Sequence, residues 1–179
     1  MGIPRAEVFL PTKLSVEVKS YDGAVASFEE TVAALGMDHV DLYRIHAPWP
    51  WSAIGTDHRA GNAAVWRAME EIHDAGRARA IGVSNFTVAD LDALIGASRL
   101  TPQVNQIKFH IGRTQPETTA YCQANGILVE AYSPLARGAL PLPKTTTQSR
   151  MRENVDLDFE ISAGDLAYLD GLTDTVKGH

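Results

Sequence analysis

The feature that most constrains this chain is a regular alternation of short β-rich runs with amphipathic helical stretches. Glu7–Leu14, Val40–Ile45, Arg79–Ser84, Gln103–Ile107 and Ile127–Tyr132 each read as strands, with Pro11 a blemish in the first. Asp22–Leu35 carries Val25, Phe28, Val32 and Leu35 at three- and four-residue spacing, the period of one helical face. Asn62–Ala75 repeats the pattern with Val65, Met69 and Ile72. Gly36 and Gly76 stand where those helices must stop. Thr87 is placed to cap a helix running to about Ala97, with Asp90 three residues on as its acidic partner. Gln115–Asn125 completes the set, ended by Asn125 and Gly126.

Strands separated by helices imply right-handed crossovers and a parallel sheet. Five such strands without a change of order predict an α/β fold: an incomplete (β/α)8 TIM barrel of about six parallel strands with helices outside. One domain spanning 1–179 is expected. Polar residues gather just after strands, at Lys13, His46, Ser84, Asn85, Gln106, Tyr132 and Ser133. That is the face on which such barrels build their sites.

The C-terminal part behaves differently. Ala139–Pro143 reads as a sixth strand, Thr147–Asn154 and Ser162–Gly171 as helices. Only Ala136, Arg137 and Gly138 separate the fifth and sixth strands. A parallel crossover takes about a dozen residues. Three residues cannot carry the chain back along a strand of ~17 Å, so this strand is not expected to lie parallel beside its predecessor through that link.

Composition narrows the function classes. The 179 residues carry a formal charge of −6, which disfavours a general nucleic-acid binder. No apolar run approaches the ~18 residues of a membrane span. A single cysteine, Cys122, excludes an internal disulfide framework. A cytoplasmic setting is expected, with neither metal nor nucleic acid nor membrane as partner. The dinucleotide fingerprint, the Walker loop, H-E-x-x-H and C-x-x-C are absent from the sequence.

Six ordered segments nonetheless resemble the aldo-keto reductase family, in the region of the bacterial diketogluconate and glyoxal reductases. They are Phe9–Lys13, Asp41–His46, the GRARAIGVSNF run of Gly76–Phe86, Val104–Gln106, Ala131–Leu135, and Leu142–Lys144 followed by Arg150, Glu153 and Asn154. The resemblance implies NADPH-dependent reduction of a small aldehyde or ketone by hydride transfer. It implies catalytic roles for Lys13 and His46. Ser84, Asn85 and Gln106 would hold the nicotinamide carboxamide, and Tyr132 would stack on the ring. Ser133 and Leu135 would line the pyrophosphate, and Lys144, Thr145, Arg150, Glu153 and Asn154 the adenosine end. Trp49, Trp51 and Phe86 are expected to line the substrate pocket. Trp66 and Cys122 read as core.

The sequence departs from the family pattern in two places. The aspartate and tyrosine of the family's catalytic tetrad have no counterpart, because the segments matching its first two βα units are missing. The short link at 136–138 also leaves no room for a loop and helix. Carbonyl reduction is therefore expected to be impaired, since a general acid typically contributes 10²–10⁴-fold. The alternative is a pseudoenzyme that at most holds NADPH. Open sheet edges would favour self-association.

Overall fold

The computed structural model describes residues 4–110, 113–133 and 164. Five strands alternate with four helices among these residues: β1 (Pro11–Leu14), α1 (Tyr21–Leu35), β2 (Val40–Ile45), α2 (Arg59–Asp74), β3 (Ala78–Ser84), α3 (Val88–Gly96), β4 (Val104–Lys108), α4 (Pro116–Ala124) and β5 (Leu128–Tyr132). The strands form one sheet in the order β1-β2-β3-β4-β5. The β1–β2, β2–β3 and β3–β4 pairs are parallel. The chain forms two compact units, Met1–Ile107 with Pro116–Glu130, and Lys108–Gln115 with Ala131–His179. The expected sixth strand and the helix Thr147–Asn154 lie outside the described residues. Within Ser162–Gly171 only Gly164 is described, and it is helical.

Local signals set most of these boundaries. Ser20 caps α1, its side chain accepting from the Gly23 amide, and Gly36 ends the helix at φ 63°. That is a left-handed conformation which glycine adopts without a Cβ penalty. Thr87 and Asp90 form the reciprocal capping box at the start of α3.

The start of β1 corrects the expectation from sequence. Arg5–Glu7 is a 3-10 turn, and the strand begins only at Pro11. The cause is long-range. Arg5 Nη2 and the Leu10 amide both donate to Asp41 Oδ2, each at 2.8 Å. Arg5 Nη1 also donates to the Val8 carbonyl at 2.7 Å. The segment is tied to the foot of β2 before the sheet begins. Burial alone would raise the Asp41 carboxyl, but the Leu10 amide and the guanidinium groups of Arg5 and Arg79 outweigh it and hold the group below its ordinary range.

The strands present two different faces. Leu14, Tyr43, Ile45, Ile81 and Val83 enter the main core with Phe28, Val32, Trp66, Met69, Leu91 and Leu94 from the helices. Phe28 meets Tyr43 edge-on, with ring centroids 5.1 Å apart. A strand's period of two turns the intervening residues Lys13, Arg44, Gly82 and Ser84 to the other face.

That second face is concave. Arg44 on β2 forms an ion pair with Glu130 on β5. Along a flat sheet those strands would stand three spacings apart, roughly 14 Å, too far for two side chains to meet. The sheet must curl toward its polar face, as strands do on the way to a barrel. Gly82 keeps this face open. A Cβ there would lie 2.7 Å from the Val104 carbonyl oxygen and 3.4 Å from Arg44 Cγ. No helix among the described residues is long and apolar enough to cross a membrane.

Candidate active site

The register brings the sequence-predicted polar residues to one end of the sheet. Lys13 pairs with Arg44, Ile45 with Val83, and Ser84 with Gln106. Lys13, His46, Ser84, Asn85 and Gln106 therefore sit near the C-terminal ends of four neighbouring strands, Lys13 and Gln106 still inside theirs.

Hydrogen bonds lace these ends together. Ser84 Oγ donates to the Gln106 carbonyl at 2.9 Å. The Asn85 amide donates to the same oxygen at 2.9 Å. Asn85 Nδ2 donates to the His46 carbonyl and to Ser84 Oγ, both at 3.1 Å. Asn85 has φ 62°, a left-handed conformation that asparagine tolerates better than most residues. This turn fixes the amide over the end of β2.

Gln106 itself is buried. Its Nε2 donates to Glu130 Oε1 at 2.5 Å, and its Oε1 is buried without a hydrogen-bond partner among the described residues. A buried acceptor left unmet costs free energy, which a donor placed beside it would recover.

His46 is half-buried. Burial first, and then the charges of Lys13 and Arg44, push its imidazole below the ordinary value. The Lys13 ammonium is lowered by burial and by Arg44, with Glu130 opposing. At neutral pH the site therefore holds a neutral imidazole beside cations. The depressed histidine makes a prediction. Between its folded and its unfolded pKa the unfolded chain binds the extra proton, so stability rises with pH in that window. Stability should fall as pH drops below about 6.5, and His46→Asn should flatten that slope. Urea titrations at pH 7.5 and 5.5 test this; equal slopes for both chains would contradict it.

The loop after β2 supplies an aromatic wall. Trp51 lies edge-on to His46 at 5.5 Å and to Trp49 at 5.3 Å. Lys19 clamps this loop from the α1 side. Its Nζ donates to the Ala47 carbonyl at 2.8 Å and to Asn62 Oδ1 at 3.0 Å. Asn62 Nδ2 in turn donates to the Pro48 carbonyl at 2.8 Å. Burial lowers the Lys19 ammonium to about 8, against the pull of Glu17. No sequence motif pointed to Lys19.

Phe86 is a correction. It was expected in the substrate pocket, yet it is 2% exposed and belongs to the main core. The left-handed turn at Asn85 redirects the chain, and the Phe86 ring packs inward from the strand end. Tyr132 and Ser133 belong to the second unit and are half-buried. There the Phe109 amide donates to the Tyr132 carbonyl at 3.3 Å. Leu135, Lys144, Thr145, Arg150, Glu153 and Asn154 lie outside the described residues.

Sequence reasoning missed Arg44 and Glu130. A partial signal was present: Glu130 is the one charge in β5, and Arg44 in β2 is opposite to it in sign, though β2 also carries Asp41. A charge in such a run needs a partner.

Comparison with known proteins gives concordant findings. The sequence profile described as "Aldo/keto reductase family" matches residues 2–174. A glyoxal reductase of Bacillus subtilis is 34% identical, over 96% of this chain and 70% of its own length. A crystal structure of an aldo/keto reductase from Brucella melitensis superposes with a TM-score of 0.77 at 32% identity, covering 94% of this chain and 74% of that one. A Bombyx mori aldo-keto reductase solved in complex with NADP superposes at a TM-score of 0.76 and 27% identity, over 93% of this chain and 68% of its own.

Proposed function

The chain belongs to the aldo/keto reductase family, and on that premise we propose that it holds NADPH at the strand ends and reduces small aldehydes or ketones there. The observation that carries this is the buried Oε1 of Gln106, without a partner among the described residues, set beside Ser84 and Asn85 on neighbouring strand ends. A nicotinamide carboxamide offers an NH2 donor and a carbonyl acceptor. The Gln106 oxygen supplies the matching acceptor, so the residues fit the cofactor.

Bound NADPH supplies a hydride. The protein's part is to hold and polarise the carbonyl. A carbonyl reduced there would gather negative charge on its oxygen, and preorganised donors would lower the barrier to that charge. His46, kept neutral by burial and by Lys13 and Arg44, donates a hydrogen bond to the oxygen. Lys13 adds positive potential on the same side. Trp51 meets the histidine edge-on and, with Trp49 against it, offers an aldehyde an apolar surface.

A second reading has its own support. Three tyrosines of the first unit are engaged elsewhere. Tyr21 donates to Glu71 at 2.5 Å, Tyr121 donates to Asp92 at 3.2 Å, and Tyr43 is fully buried against Phe28 with its phenol raised to about 12. None of the three stands beside Lys13 to serve as its proton donor. Binding of NADPH with little turnover is the outcome this favours.

One pair of measurements separates the two. NADPH is titrated by fluorescence, and its oxidation is followed with methylglyoxal or phenylglyoxal. Binding with measurable oxidation supports the reductase, binding without oxidation supports the pseudoenzyme, and absence of binding removes both.

A further inference from the structure

Three side chains on the concave face form a chain of contacts behind the Gln106 oxygen, and the contacts themselves have no part in the chemistry above. Arg44, its side chain 5% exposed, is ion-paired through Nη1 to Glu130 Oε2. Glu130 Oε1 accepts from Gln106 Nε2. The carboxylate is thus shared, with one oxygen for the guanidinium and one for the amide.

From this arrangement we infer that Glu130, held by Arg44, is a positioning residue that fixes which end of the Gln106 amide faces the cofactor. The inference rests on the proposed NADPH site. A glutamine amide can turn over at almost no steric cost, exchanging its NH2 for its oxygen. What decides the direction is the neighbour. An ionised carboxylate only accepts, so the amide nitrogen must turn toward Glu130. The oxygen is then left over, buried and without a partner among the described residues. Arg44 holds the other carboxylate oxygen as a pure donor, because a guanidinium has no acceptor atom. Gly82, with no Cβ, leaves the space beside the Arg44 stem clear. The pair therefore selects an acceptor at this position, and an acceptor is what the NH2 of a carboxamide requires.

The isosteric variant Glu130→Gln reverses this logic without opening a cavity. Arg44 takes the oxygen of the new amide, whose NH2 then faces Gln106. The Gln106 oxygen must turn inward to accept it, and its NH2 turns outward. The site then offers a donor in place of an acceptor.

The test compares two probes by calorimetry: NADP+, and its 3-acetylpyridine analogue, which has a methyl group in place of the carboxamide NH2. The wild-type chain is expected to prefer NADP+. In E130Q, NADP+ should weaken about tenfold, the order of one hydrogen bond turned into a donor–donor clash. The analogue, which only accepts, should hold or improve. In Q106M the preference should vanish, and adding E130Q should change nothing further. A merely structural role for Glu130 predicts an equal loss for both probes, and that result would overturn the inference while leaving the NADPH site intact. A wild-type chain that binds neither probe overturns the site and this inference with it.

Discussion

Replacing His46 with alanine is expected to lower carbonyl reduction by about 10²–10³-fold, the usual cost of removing one donor from a developing oxyanion. NADPH affinity should change little. The reason lies in which atom of His46 does what. Asn85 is held by the His46 backbone carbonyl, at 3.1 Å, and alanine keeps that carbonyl. The strand ends stay laced while the imidazole is lost. The change should therefore appear in kcat and not in the NADPH dissociation constant. Single-turnover oxidation of bound NADPH reads the chemical step directly. An unchanged rate would show that the carbonyl is polarised by another group.

The largest expected effect on stability comes from Trp66. Its side chain is fully buried in the main core, and its indole Nε1 donates to the Leu100 carbonyl at 2.9 Å. Trp66→Ala removes the largest fully buried side chain among the described residues and leaves the Leu100 carbonyl with only the longer 3.3 Å bond from Ser98 Oγ. Truncations of this kind cost about 3–5 kcal/mol, against a total of 5–15 kcal/mol for an ordinary domain. Trp66→Phe keeps most of the volume and loses chiefly the hydrogen bond, about 1 kcal/mol. Urea titration of the three chains should rank them wild type, Phe, Ala. A loss of under 1 kcal/mol for Trp66→Ala would mean that α2 does not pack as described.

Much of the fold was legible because local signals and the global fold agree. Val40–Ile45 was read as a strand and is one with the same bounds. The capping box at Thr87 and Asp90 was visible as spacing and is present as geometry. Elements failed where a distant residue decides. Glu7–Phe9 has the composition of a strand, but Asp41 captures Arg5 and the Leu10 amide from 31 or more residues away. Phe86 follows two polar residues as a pocket aromatic would. Its burial is set by the left-handed φ of Asn85, a conformation that residue type permits without requiring. Lys13, His46, Ser84, Asn85 and Gln106 could be grouped at one end of the sheet from sequence because each lies near the end of a strand of one parallel sheet. The partnership of Arg44 with Glu130 spans 86 residues and needs the curvature of the sheet. Two charges of opposite sign within largely apolar strands were its trace in the sequence.

The most direct test is a crystal structure of this chain with NADP+ bound. The expected result places the carboxamide nitrogen within hydrogen-bond distance of Gln106 Oε1, with the ring beside His46 and Lys13. Nucleotide density elsewhere on the protein, with Gln106 Oε1 still unpartnered, would contradict the account.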